Sequence, residues 1–145
     1  MARAAFKLRA PAPLEHPIQI QIAKVLTLEL APPGRVSAQG VVWYAIDHAD
    51  FAGNVPGIRI ARGIIAGILD TFILYRGLTH LIEIKTEDGI LSDAQRSVIA
   101  ACITGHARVG VCRDAVEVLH CLDNWQIPRA RRVREIGGEV LTRNP

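Results

Sequence analysis

The sequence predicts a single mixed α/β domain, a β-sheet flanked by helices in the order α-β-β-β-α-β-α. Three observations predict it. Two β-branched, aliphatic runs at the centre are separated only by Arg76-Gly77-Leu78. A helix-opening signature, Ser92-Asp93-Ala94-Gln95, follows them, and a third apolar run then leads into an amphipathic stretch. Strands followed by helices in this alternation pack as a sheet with helices against it. At 145 residues the chain is long enough to bury a core, and with aromatics at 5% that core must be built mainly from Ile, Leu, Val and Ala.

Met1 to Pro13 is basic and rich in Ala and Pro, and reads as a flexible arm. Pro17 to Leu30 reads as a helix: Pro17 suits a first turn, and Ile18, Ile22, Val25 and Leu26 fall on one stripe. The alternation from Ile18 to Ile22 would equally suit a strand. Pro32-Pro33-Gly34 closes the element. Val41 to Asp47 alternates as a strand, Asp50 to Gly57 is a loop, and Ile58 to Gly67 is ambiguous, with a short helix one possibility.

Leu69 to Tyr75 and Thr79 to Thr86 form the central hairpin. A Gly77-Leu78 loop would be a type II′ turn, which favours glycine first, and would set Arg76 opposite Thr79. Ser92 and Gln95 have capping-box spacing, opening a helix that runs to about Thr104 and stops at Gly105. Ala107 to Cys112 is a further strand. Asp114 to Trp125 is an amphipathic helix with Val118, Leu119 and Leu122 inward, ending near Pro128. The domain thus spans 14–128, and 129–145 is a basic tail.

The formal net charge is +3 but unevenly spread. Arg3, Lys7 and Arg9 stand in the first ten residues without an acid, and Arg129, Arg131, Arg132 and Arg134 crowd the tail. Such patches suit a polyanion such as DNA, and equally suit solvated ends. Cys102, Cys112 and Cys121 are odd in number, lack CxxC spacing and sit among apolar neighbours, as buried thiols of a reducing compartment would. The absence of an export signal or long apolar span points to the cytoplasm, with no membrane partner.

The hairpin register carries a chemical consequence. It sets Asp70 opposite Lys85 and Phe72 opposite Glu83, so Asp70, Glu83 and Lys85 share one face. Diagonal carboxylates roughly 7–8 Å apart at the backbone can reach one cation. Hard divalent ions take one or two carboxylates, with waters and phosphate oxygens completing the shell. A neighbouring lysine can orient the attacking water and offset transition-state charge. Three charges on the solvated face of a half-exposed hairpin would show the same alternation.

Four pieces in order resemble the VRR-NUC family of the PD-(D/E)xK nuclease superfamily, found in phages, bacteria and a eukaryotic DNA-repair nuclease. They are Glu15 with Gln19 at a helix start, Gly67 with Asp70, the strand His80-Leu81-Ile82-Glu83-Ile84-Lys85, and the block Gly89, Leu91, Ser92, Gln95. The likeness covers about Glu15 to Ile127. Leu69 departs from it, standing where the family has proline.

The resemblance implies a PD-(D/E)xK core with Glu15, Asp70, Glu83 and the Ile84 carbonyl around Mg²⁺ or Mn²⁺, Lys85 as the catalytic lysine, and Gln95 as a motif residue of the site. It also implies a homodimer cutting branched DNA such as four-way junctions, in a bacterial or phage-infected cell. Arg129, Arg131, Arg132 and Arg134, then Arg59 and Arg62, are the expected DNA contacts. The rival class is a catalytically inactive DNA-binding or phage structural protein that keeps the fold, since fold does not fix function. A restriction-like nuclease is a further alternative, for which the chain is short.

Overall fold

The computed structural model of the chain describes residues 15–46 and 66–130. The expected N-terminal arm, the 50–57 loop, most of the 58–67 segment and the tail beyond Ala130 lie outside the described residues. The elements are α1 (Glu15–Glu29), β1 (Val42–Ala45), β2 (Thr71–Tyr75), β3 (Leu78–Ile84), α2 (Asp93–Thr104), β4 (Arg108–Cys112) and α3 (Ala115–Asn124). Their order is the expected one. They form a four-stranded mixed sheet, β1-β2-β3-β4, antiparallel except for the β3–β4 pair.

The ambiguous first segment is helical. Ile22 and Leu26 of α1 are buried and join Val118 and Leu122 of α3 in one core cluster. The sheet contributes Trp43, Ile73, Ile82, Ile84 and Cys112 to it. Directly paired residues share a face, so α1 and α3 both cover the face that carries Ile82 and Ile84. Gly110, beside Ile82, allows α3 to sit close: a Cβ there would lie 2.7 Å from Cys121 Sγ. Cys112 is buried, Cys102 and Cys121 are half-buried, and the sulfurs of Cys112 and Cys121 are 3.7 Å apart.

At the sheet edge, β1 is covered by the chain that precedes it. The Gly34 N–H donates to the Trp43 carbonyl at 2.8 Å, and the Ser37 N–H donates to Val41 O at 2.8 Å. These bonds occupy ladder groups that would otherwise invite another strand.

The central hairpin corrects the expected turn. Tyr75 pairs with Leu78, so the two-residue loop is Arg76-Gly77, with φ of 50° and 75°. Both residues are left-handed, as a type I′ turn requires. Phe72 consequently faces Leu81, not Glu83. The register differs from the expected one by two residues, and because side chains alternate with period two, every side chain keeps its face.

α2 begins as its sequence predicts. Ser92 Oγ accepts the Gln95 N–H at 3.2 Å, the Gln95 side chain accepts the Ser92 N–H at 2.9 Å, and Gly105 ends the helix. The two ends of α1 are both tied by ion pairs, Glu15 to Lys85 and buried Glu29 to Arg129. Among the described residues no helix is long and apolar enough to cross a membrane.

Candidate active site

Continuing the β2–β3 register by one residue sets Asp70 opposite Glu83 at the end of the hairpin. Asp70 ends the ladder chemically. Its Oδ2 accepts the Ile84 N–H at 2.7 Å, replacing the next backbone partner, while its own carbonyl accepts from Ile46 N–H at 2.7 Å. Gln19 on α1 approaches Asp70 Oδ1 at 3.4 Å. The hairpin therefore presents two buried carboxylates, 9% and 1% exposed, at one end of the sheet.

Lys85 follows directly after β3 and is buried. Its Nζ stands 2.8 Å from Glu83 Oε1 and 3.2 Å from Glu15 Oε1. α2 contributes from the other side: Gln95 Nε2 donates to the same Glu83 Oε1. Gln95 thus makes two contacts at once, its carbonyl oxygen closing the capping box and its amide nitrogen reaching Glu83. Gly67 permits this approach. Its φ is +83°, and a Cβ would fall 2.5 Å from the Ala94 carbonyl carbon and 2.6 Å from Gln95 N.

Glu15, Gln19, Gly67, Asp70, Glu83, Lys85 and Gln95, brought from four separate parts of the chain, line one open cleft of about 870 Å³. Glu83 Oε2 is buried there without a hydrogen-bond partner, an arrangement that is costly unless a ligand compensates. Burial pushes the Glu83 carboxyl up to about 7; hydrogen bonding to Lys85 opposes this, and Asp70 and Glu15 add to the rise. Burial acts against the Lys85 charge, but its bonds to Glu83 and Glu15 outweigh that and hold it above the ordinary lysine value. Two acidic groups, Glu83 and Glu15, thus meet one ammonium, and Asp70 lines the same cleft.

Among the described residues no three acidic, imidazole or thiol groups enclose a point as a ready-made metal cage. The donor set still fits a hard divalent ion, which is commonly held by one or two carboxylates while substrate and water complete the shell. The carboxylate excess and the orphaned Glu83 Oε2 are the features that fit.

Arg59, Arg62, Arg131, Arg132 and Arg134 lie outside the described residues. Arg129 is described, and it is engaged away from the cleft: its Nε is 3.8 Å from Glu29 Oε2 and 3.2 Å from Asp123 Oδ1. It stands at the opposite end of α1 from Glu15, where it offsets the buried Glu29 carboxylate. His80, which opens the motif strand, is buried on the core face, its ring 5.2 Å from that of Trp125. Gln19 entered the sequence reading only as a motif residue, and its contact with Asp70 adds it to the site.

Comparison with protein-family models, curated proteins and solved structures finds no significant match to this chain.

Proposed function

We propose that the chain is a metal-dependent DNA endonuclease with a PD-(D/E)xK core of the VRR-NUC kind. The observation that carries this reading is the convergence of Glu15, Asp70, Glu83, Lys85 and Gln95 on one cleft, with a buried Glu83 oxygen left unpartnered. Residues scattered from position 15 to position 95 have little structural reason to gather three acidic groups and a single lysine in one cleft. A core-stabilising pair would need only one.

In this reading Asp70 and Glu83 hold Mg²⁺ or Mn²⁺, with Glu15 at the rim. The Ile84 carbonyl is a further donor, because N–H and C=O of an extended residue emerge on the same strand edge and its N–H already meets Asp70. The bound ion supplies charge neutralisation at the phosphoryl oxygens and a lowered pKa for water. The chain's own residues do the rest. Asp70 is held by the Ile84 N–H and by Gln19, which preorganises its carboxylate. Lys85 keeps its proton between Glu83 and Glu15, ready to offset charge that develops on a phosphodiester in the cleft. Gln95 orients Glu83 through Oε1, leaving Oε2 for the ion.

Branched DNA, including four-way junctions, is the proposed substrate and a homodimer the proposed assembly, since paired symmetric sites can nick the two symmetric strands of a junction. The deciding assay incubates purified protein with linear, flapped and four-way-junction DNA, with and without Mg²⁺ or Mn²⁺. Cation-dependent nicking is expected. Binding without cleavage under every condition would point to an inactive relative.

A further inference from the structure

The chemistry of the cleft continues onto the next strand. β3 and β4 run parallel with Ile84 beside Cys112, so the residues that follow, Lys85 and Arg113, emerge side by side at the carboxyl ends of adjacent strands. Neighbouring strands lie about 4.8 Å apart. On the same face, Val111 stands beside Glu83. A second concavity of about 590 Å³ opens there, lined by Gly89, Ile90, Leu91, Arg96, Val111 and Arg113. Ile90 lines both hollows and is therefore the partition between them. At 83% exposure it is the most solvent-exposed large apolar side chain described, which has no purpose in packing the core.

The two arginines are placed differently but toward one end. Arg113 Nε and Nη2 donate to the carbonyls of Glu87 and Gly89 at 3.2 and 3.5 Å, fixing the guanidinium at the rim. A guanidinium has five N–H donors, so capacity remains for an anion. Arg96, on the first turns of α2, has an exposed pairing with Asp93 at 3.0 Å. Contacts of that kind are weak and readily exchanged for a phosphate. The same loop carries exposed Glu87 and Asp88, so attraction for a polyanion rests on these two arginines.

We propose that this second concavity binds the sugar–phosphate strand next to the scissile position, Arg113 and Arg96 contacting a phosphodiester and Ile90 packing against the adjoining sugar or base. The inference rests on the nuclease reading of the neighbouring cleft and extends it to substrate positioning. An apolar floor of Leu91 and Val111 between two cations suits a nucleotide, which is apolar on its base faces and anionic on its backbone.

The test is fluorescence anisotropy with a labelled single strand and a labelled four-way junction, in Ca²⁺, for wild type, Arg96→Ala, Arg113→Ala, Asp93→Asn and Arg76→Ala. Arg76 lies in the β2–β3 turn at the far end of the sheet, over the Tyr75 ring, and serves as the basic control. Arg96→Ala and Arg113→Ala should each weaken binding roughly tenfold or more, the loss of a charged hydrogen bond. Each should also lower the salt slope on the single strand by about 0.7. Asp93→Asn should tighten binding, a gain that misfolding cannot produce. If Arg113→Ala fails to fold by circular dichroism, the exposed Arg96 and Asp93 variants decide. Wild type that binds DNA while Arg96→Ala and Asp93→Asn match it overturns this inference alone, as does an equal loss from Arg76→Ala. Wild type that binds neither DNA overturns the nuclease reading and this inference together.

Discussion

Gln95 and Glu83 are joined side chain to side chain, and the amide that donates to Glu83 Oε1 also closes the capping box of α2 through its own oxygen. One side chain therefore starts a helix and orients a buried carboxylate. Local folding and site geometry are coupled at this point, and a substitution there changes both. Gln95→Glu would keep the cap acceptor but set a second carboxylate against Glu83.

Lys85→Met should remove cleavage and leave DNA affinity within a few-fold of wild type. The proposed role of its ammonium is to meet charge that develops only in the transition state. Loss of one such electrostatic contact costs on the order of 10²–10³ in kcat. Single-turnover cleavage of a four-way junction, with binding measured in Ca²⁺, separates the two effects. Parallel loss of both would make Lys85 a phosphate clamp instead.

Mg²⁺ or Mn²⁺ should raise the melting temperature of the wild type, and Asp70→Asn or Glu83→Gln should abolish the increase. An ion at a hundred times its dissociation constant stabilises by about 2.7 kcal/mol. A thermal shift preserved in both variants would place the cation elsewhere. Chelation should stop cleavage without unfolding the protein, because the only site residue in the core cluster is Ile84, whose side chain packs there while its backbone carbonyl is the proposed donor.

Gly67→Ala should destabilise the fold and impair the site together. The new Cβ would collide with the Ala94 backbone in a segment whose φ of +83° already disfavours any side chain. Overpacking typically costs 1–3 kcal/mol, and displacement of α2 would draw Gln95 away from Glu83. Gly34→Ala shares the left-handed backbone, at φ +75°, but meets nothing within 4 Å. Urea titrations should therefore show a clearly larger loss at position 67 than at 34. Equal losses would mean the contact at Ala94 relaxes freely.

Acid should weaken the fold through His80. Burial first, and the charge of Arg108 next, lower its pKa from the usual 6.5; the backbone of Ile73 and Leu78 offsets this in part without a formal hydrogen bond to either ring nitrogen. The unfolded chain then binds a proton more readily than the folded one. The His80 contribution is fully present above about pH 6.5 and is lost progressively as pH falls toward the lowered folded value, against the opposite slope of Glu83, whose carboxyl is raised to about 7. His80→Leu should flatten that limb of a denaturation midpoint against pH. An unchanged slope in the variant would assign the acid sensitivity to another group.

Much of this arrangement was legible in the sequence because it is local. The capping box needs only Ser92 and Gln95, and the shared face of Asp70, Glu83 and Lys85 needs only the parity of a hairpin. Parity survived even though the turn was misplaced: glycine was expected first, and the chain instead sets Arg76 at φ 50° before Gly77. Nothing in a residue type announces that an arginine will accept left-handed backbone. The neighbours of Lys85 on β4 were illegible for a different reason. Their register with β3 is set across an intervening helix, so neither Arg113 nor Arg96 could be placed beside the cleft by spacing alone. The role of Arg129 was hidden likewise, since its acids Glu29 and Asp123 come from two helices that meet only in three dimensions.

The ion pairs at the two ends of α1 make that helix a ruler. Glu15 touches Lys85 at the cleft, and Glu29 holds Arg129 just before the basic run that begins at Arg131. At 1.5 Å per residue, the separation along the axis is about 21 Å. Nucleic acid rises about 3.4 Å per nucleotide along a strand. A duplex lying parallel to α1, scissile phosphate in the cleft, would therefore pass the Glu29–Arg129 pair about six base pairs away, more than half a helical turn, so a contact made at that end of the helix would meet a different side of the double helix from the one being cut.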